Sequence, residues 1–104
     1  MKENVERVRE LLDKPELLCQ LAEECNELGK AALKLRRAMT GINPTPLTEA
    51  EAWRNITEEA ADVMLVLDCL NIPTGDKLTL EIMGYKAQRW VNRLETKNET
   101  KRNP

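Results

Sequence analysis

Histidine is absent from this 104-residue chain, and so is phenylalanine. Without histidine the usual general base at neutral pH is missing. Any acid–base step then falls to a carboxylate, Lys, Tyr or water activated by a cation. A zinc site is excluded on similar grounds, because Cys19, Cys25 and Cys69 are too widely spaced to form one alone. An odd cysteine count without a secretory leader argues against a disulfide framework. The three thiols fall in predicted helices and read as structural. No apolar run approaches the ~20 residues of a membrane span. The start, Met1-Lys2-Glu3-Asn4, has no signal-peptide core. A cytoplasmic location is expected. The formal charge is only −2, which gives no general attraction to nucleic acid or to an anionic membrane. Neither is expected as a partner.

Glycine, proline and aromatics are also scarce, while Leu, Ala, Glu and Lys dominate. That balance, with no strand-like alternation of useful length, predicts an all-α protein. The length suits a single domain, residues 1–97, followed by a polar, frayed tail over 98–104. The pattern predicts a four-helix antiparallel bundle-like domain. A short first helix covers 3–12, with Val5, Val8 and Leu12 inward. Asp13-Lys14-Pro15-Glu16 is a helix start, and the second helix runs from about Pro15 to Met39. Its apolar seam is Leu18, Leu21, Cys25, Leu28, Ala32, Leu35 and Met39. Residues 40–47 form a loop with a helix-ending Gly41 and prolines at 44 and 46. Thr48 with Glu51 makes a capping box for the third helix. That helix carries a seam of Trp53, Ile56, Ala60, Val63, Leu67 and Leu70. The fourth, basic helix spans roughly Asp76 to Lys97, with Leu80, Met83, Ala87, Trp90 and Leu94 inward.

The two long central helices carry the same acidic pattern 35 residues apart, Glu23-Glu24-Cys25-Asn26-Glu27 and Glu58-Glu59-Ala60-Ala61-Asp62. Carboxylates at i and i+3 share a helix face. At 100° per residue, Glu24 and Glu27 lie about −60° and about −120° from Leu21. Glu59 and Asp62 stand at the same angles from Ile56. Glu23 and Glu58 point away from the seam and read as solvent-facing, or as supports behind the other acids. In an antiparallel hairpin the two pairs come level, roughly 20 Å from the connecting loop. All four acids, Glu24, Glu27, Glu59 and Asp62, should then converge. Such a quartet repels itself unless a cation is present. Its all-oxygen donors suit Mg²⁺ or Mn²⁺. Two cations so held can clamp a pyrophosphate linkage. Solvated glutamate faces are the commoner outcome for any one such pattern. Duplication on matched flanks at matched depth favours a site.

Lys86, Arg89 and Arg93 form a basic flank on the fourth helix. They read either as a snorkelling edge or as a phosphate clamp. Trp53 and Trp90 sit on seams, so core packing is their default, whereas Tyr85 lies off the seam.

The paired motif, with its helical setting over roughly residues 15–94, resembles the MazG-like all-α nucleoside triphosphate pyrophosphohydrolases. Their mark is ExxE…ExxD on two antiparallel helices. The resemblance implies that Glu24, Glu27, Glu59 and Asp62 form the catalytic centre and bind Mg²⁺, with Mn²⁺ as a substitute. It implies attack of water at the α–β linkage of a (deoxy)nucleoside triphosphate, giving a monophosphate and pyrophosphate. It also implies Lys86 and Arg89 at the phosphates, and assembly as a dimer or tetramer through helix faces. The stretch between the motifs, residues 28–58, is longer than the family pattern. The competing reading is a helical module that binds a partner or a nucleotide without chemistry. Binding through the seams alone would predict no stabilisation by divalent cations.

Overall fold

The computed structural model describes residues 1–102, with side chains described through Asn98. It is all-α: α1 (Lys2–Leu11), α2 (Lys14–Thr40), α3 (Glu49–Cys69) and α4 (Lys77–Arg102), with no strand among the described residues. None of these helices is long and apolar enough to cross a membrane. Chain contacts separate Met1–Ile72 from the segment that begins at Pro73 and carries α4.

In the first unit, helix limits follow local chemistry. The Asp13 side chain accepts the Glu16 N–H at 2.9 Å and caps α2, with Pro15 in its first turn. Gly41 ends α2 in the left-handed region, φ 72°, and its N–H returns to the Arg37 carbonyl at 2.8 Å. The Thr48 hydroxyl accepts from Glu51 N–H at 3.1 Å, and the Glu51 carboxylate accepts from Thr48 N–H at 3.3 Å. This is the reciprocal box read from the sequence.

The α2–α3 hairpin is the main packing interaction, and α1 lies against α3. Val5, Leu17 and Cys69 form a buried cluster, with Val8 and Leu70 packed beside it. Arg9 of α1 closes the far end of α3 by donating to the Cys69 and Asp68 carbonyls and to Asn71 Oδ1.

The interface differs from the expected seams. On α2 the buried or half-buried line is Leu17, Leu21, Glu24, Leu28, Ala31, Leu35; Leu18, Cys25, Ala32 and Met39 are exposed. On α3 the expected Ile56, Ala60, Val63, Leu67 and Leu70 are half-buried and are joined by Ala52, Glu59 and Val66, while Trp53 is 51% exposed. Each contact face is rotated toward the acids relative to the seam read from apolar residues alone. Residue size accounts for the choice. Ala31 and Ala52, at 2% and 0% exposure, allow close approach of the helices, where a tryptophan at the same line would hold them apart. Of the three cysteines only Cys69 is buried; Cys19 and Cys25 are exposed.

In the second unit, α4 runs to Arg102, so its backbone covers residues 98–102 of the expected tail. Glu99, Lys101 and Arg102 are good helix formers, which explains the extension. Residues 103 and 104 lie outside the described residues. Thr79 donates its N–H to Asp76 Oδ2 at 3.4 Å, and hydrogen bonding from Thr79 holds the Asp76 carboxyl below the usual aspartate range. The stripe expected to face inward, Leu80, Met83, Ala87, Trp90 and Leu94, is exposed. A unit made of one helix has no second element of its own to cover such a stripe.

Candidate metal centre between the two long helices

Placing Glu24 and Glu59 on the contact line has an electrostatic consequence. Both are half-buried, and Asp62, one turn beyond Glu59, is exposed at the rim. One carboxylate oxygen from each of the three lies within 4.8 Å of the others. Two oxygens on opposite sides of a hard cation, each 2.0–2.6 Å away, stand at most about 5 Å apart. Closing on one Mg²⁺, with bonds of about 2.0–2.1 Å, would draw the three oxygens closer together.

Gln20, one turn before Glu24, donates its amide to Glu24 Oε1 at 2.7 Å. That bond restrains the Glu24 side chain and leaves its second oxygen without a protein donor among the described residues. Glu27 belongs to the same field but is half turned to solvent. Lys30 Nζ donates to its Oε1 at 3.2 Å, and the Glu27 side chain is 52% exposed. Glu58 accepts from Arg54 Nε at 3.1 Å, and Glu23 is exposed. The structure thus joins Glu24, Glu59 and Asp62 directly, with Glu27 adjoining and Glu23 and Glu58 outside.

Glu59 registers the crowding. Partial burial pushes its carboxyl above the usual glutamate range, and the charges of Asp62, Glu27, Glu24 and Glu58 push it further. Among the described residues no lysine or arginine pairs with Glu24, Glu59 or Asp62. Half-buried carboxylates without a cationic partner are costly. An all-oxygen, uncompensated acidic set fits a hard divalent cation in charge and donor type.

Toward the loop from this cluster runs an open groove of about 630 Å³, lined by Lys34, Leu47, Ala50, Glu51, Arg54, Asn55 and Glu58. Its size falls within the range of small-molecule sites. Asn55 is half-buried and lies one turn from Glu59. Sequence reading missed this groove, since it needs the loop residue Leu47 beside both helices. The Gln20–Glu24 pair, in contrast, was available from its i,i+4 spacing.

Lys86 and Arg89 belong to the second unit. Both are exposed, and the Arg89 guanidinium lies over the Tyr85 ring at 5.8 Å from its centroid.

No protein-family model matches the chain, and no curated protein or solved structure matches it either.

Proposed function

We propose that this protein is a Mg²⁺-dependent nucleotide pyrophosphohydrolase that cleaves a (deoxy)nucleoside triphosphate to a monophosphate and pyrophosphate. The observation that carries the reading is the uncompensated trio Glu24, Glu59 and Asp62 at the α2–α3 interface, with Glu27 adjoining. These four carboxylates would hold Mg²⁺ or Mn²⁺. When bound, the cation neutralises phosphate charge and polarises the scissile linkage. The chain's own residues do the rest. Gln20 orients Glu24. The groove from Asn55 to Lys34 accommodates the nucleoside portion, with Lys34 and Asn55 offering donors. Water adds to the α-phosphorus, the bond to the bridging oxygen breaks, and pyrophosphate leaves. Lys86 and Arg89 act on the phosphates in this reading. A nucleotide substrate is consistent with a cytoplasmic location.

A second reading has its own support. Leu18, Trp53, Met64, Leu80, Met83 and Trp90 are all large, apolar and exposed. The first three belong to the first unit and the last three to α4, and exposed apolar side chains of this kind suit protein contacts. They support assembly as a homodimer or homotetramer, and equally a non-catalytic helical interaction or nucleotide-binding module. Turnover separates the two.

The test is a nucleoside triphosphate panel with Mg²⁺, with products resolved by phosphorus NMR. Pyrophosphate is the expected product. Glu27→Gln and Asp62→Asn should abolish turnover while keeping the helical circular dichroism signal. Orthophosphate as the sole product, or full activity in both variants, rejects the enzyme and leaves the interaction module.

A further inference from the structure

The groove beside the metal centre carries a second charge imbalance, opposite in sign to the first. Lys34 lies on its α2 wall and is half-buried. It stands seven residues beyond Glu27 and ten beyond Glu24. Seven residues make two turns, so Lys34 shares the flank of Glu27, about 10 Å further along the axis. Long side chains in a helix lean toward its N-terminus. For Lys34 that is the direction of the acids.

Other charges around the groove are already engaged. Arg54 Nε donates to Glu58 Oε1 at 3.1 Å, and the Glu51 carboxylate accepts the Thr48 N–H at 3.3 Å. Lys30 Nζ donates to Glu27 Oε1 at 3.2 Å. Lys34 makes no ion pair or hydrogen bond among the described residues, although Glu51 and Glu58 line the same groove. A partly buried ammonium group without an anion is uncompensated, just as the carboxylates are without a cation. Glu24, Glu59 and Asp62 do not reach Lys34, so the two imbalances do not cancel. A ligand that answers both must offer oxygens to a cation at the acids and negative charge two turns further on. A lone divalent ion meets only the first need, and a neutral nucleoside meets neither. A nucleotide meets both.

Given the nucleotide cleavage proposed above, we infer that Lys34 binds the α-phosphate of the substrate, its ammonium group donating to the non-bridging oxygens. The α-phosphate is the one joined to the nucleoside. With the nucleoside in the groove and the outer phosphates at the acids, it is the group that falls between them. In the cleavage a water oxygen bonds to the α-phosphorus. The bridging oxygen leaves with the electron pair as part of pyrophosphate, and one water proton is lost to solvent. Lys34 keeps its own protons and acts as a fixed positive charge beside the reacting phosphorus. The monophosphate product retains the same contact, so the contact can be measured without turnover.

The experiment uses the full chain with Mg²⁺. Deoxynucleoside 5′-monophosphates of all four bases, and the matching nucleosides, are titrated by calorimetry, and triphosphate turnover is followed in parallel. Saturable binding of at least one monophosphate is expected, weakened about tenfold or more in Lys34→Gln by the loss of a charged donor. Lys34→Arg keeps the charge and should recover part of that loss. kcat/KM for the triphosphate should fall by a similar factor in Lys34→Gln. Arg7→Gln, which removes an exposed charge of α1, should leave both readouts unchanged. Tm without ligand should not fall in Lys34→Gln, because the ammonium group has no partner to lose; Lys34→Arg keeps the comparison decisive if it does. No monophosphate binding, equal binding by the parent and Lys34→Gln, or an equal loss for the nucleosides overturns the assignment. Pyrophosphate release indifferent to Lys34 removes this role and leaves the enzyme. Lys34-dependent monophosphate binding without any pyrophosphate release removes the enzyme and leaves the phosphate contact.

Discussion

Arg9 ties α1 to the end of α3, and Arg9→Met isolates that tie. Its Nε donates to the Cys69 carbonyl at 3.0 Å, and one terminal nitrogen donates to the Asp68 carbonyl at 2.7 Å and to Asn71 Oδ1 at 2.8 Å. The two carbonyls belong to the last turn of a helix, where the dipole is negative, and the Asp68 carbonyl also accepts the Asn71 N–H at 3.0 Å. Methionine keeps an unbranched aliphatic side chain and deletes all three hydrogen bonds. A hydrogen bond from a charged donor contributes up to a few kcal/mol, but water can replace part of these three. A net loss of roughly 2–3 kcal/mol follows. For a domain of this size that lowers Tm by about 10–20 °C. The control is Arg7, whose Nη1 lies 2.8 Å from Glu10 while the two side chains are 63% and 64% exposed. The distance is as short, yet an exposed pair contributes roughly 0.2–1 kcal/mol. Arg7→Met should therefore move Tm by only a few degrees. Circular dichroism melts and urea titrations of the two variants, run beside the parent chain, give the comparison. Equal losses in both variants would refute the argument that acceptor environment, and not distance, sets the contribution.

Four further outcomes are expected. Mg²⁺ should raise Tm progressively with its concentration, corresponding to about 2.7 kcal/mol of stability at a hundredfold excess over its dissociation constant; a rise that persists in Asp62→Asn would move the ion elsewhere. Because the Glu59 carboxyl titrates above the usual glutamate range, the folded chain holds that proton more tightly than the unfolded one. Stability then falls as pH rises from the ordinary glutamate range through the raised value, and the penalty is complete above it. In EDTA, Glu59→Gln should melt higher than the parent at neutral pH and lose that advantage on acidification; a constant advantage contradicts the linkage. The depressed Asp76 acts in the opposite sense and cancels, since both chains carry it. Thr48→Ala should cost about 1 kcal/mol through loss of the capping box, and Thr48→Ser should restore most of it. Lys86→Gln and Arg89→Gln should raise KM for a triphosphate without changing Tm, because both side chains are exposed; unchanged KM in both removes α4 from the substrate site.

The limits of the helices were legible because their signals are local. Asp13 with Pro15, Gly41, and Thr48 with Glu51 each act within a few residues, and each does so in the structure. At its far end α4 runs to Arg102, beyond the Lys97 expected. Polar composition at 98–102 suggested fraying, while the same residues have ample helix propensity. The convergence of acids was also partly readable. An i,i+3 spacing and a 1.5 Å rise put Glu24 level with Glu59 and Asp62 without knowledge of packing. Glu27 adjoins these three acids and also pairs with Lys30, a contact that its i,i+3 spacing allows.

By itself, then, the chain's order of residues determined an all-helical protein with two long rods joined by a capped turn and matched acids on matched flanks. Those features depend on bonds and angles within one or two turns. Only tertiary structure decided which stripe of each rod became the contact face. α2 holds two overlapping apolar lines that share Leu21, Leu28 and Leu35, one running through Leu18, Cys25 and Met39 and the other through Leu17 and Ala31. Periodicity alone cannot rank them, and an apolar count favours the first because it carries no charge. Packing chose the second, since burial depends on what stands opposite, and alanines at 31 and 52 let the backbones approach. That rotation draws Glu24 and Glu59 out of water and into each other's field. It leaves Trp53 on the surface and turns a pattern of acids into a place for a cation.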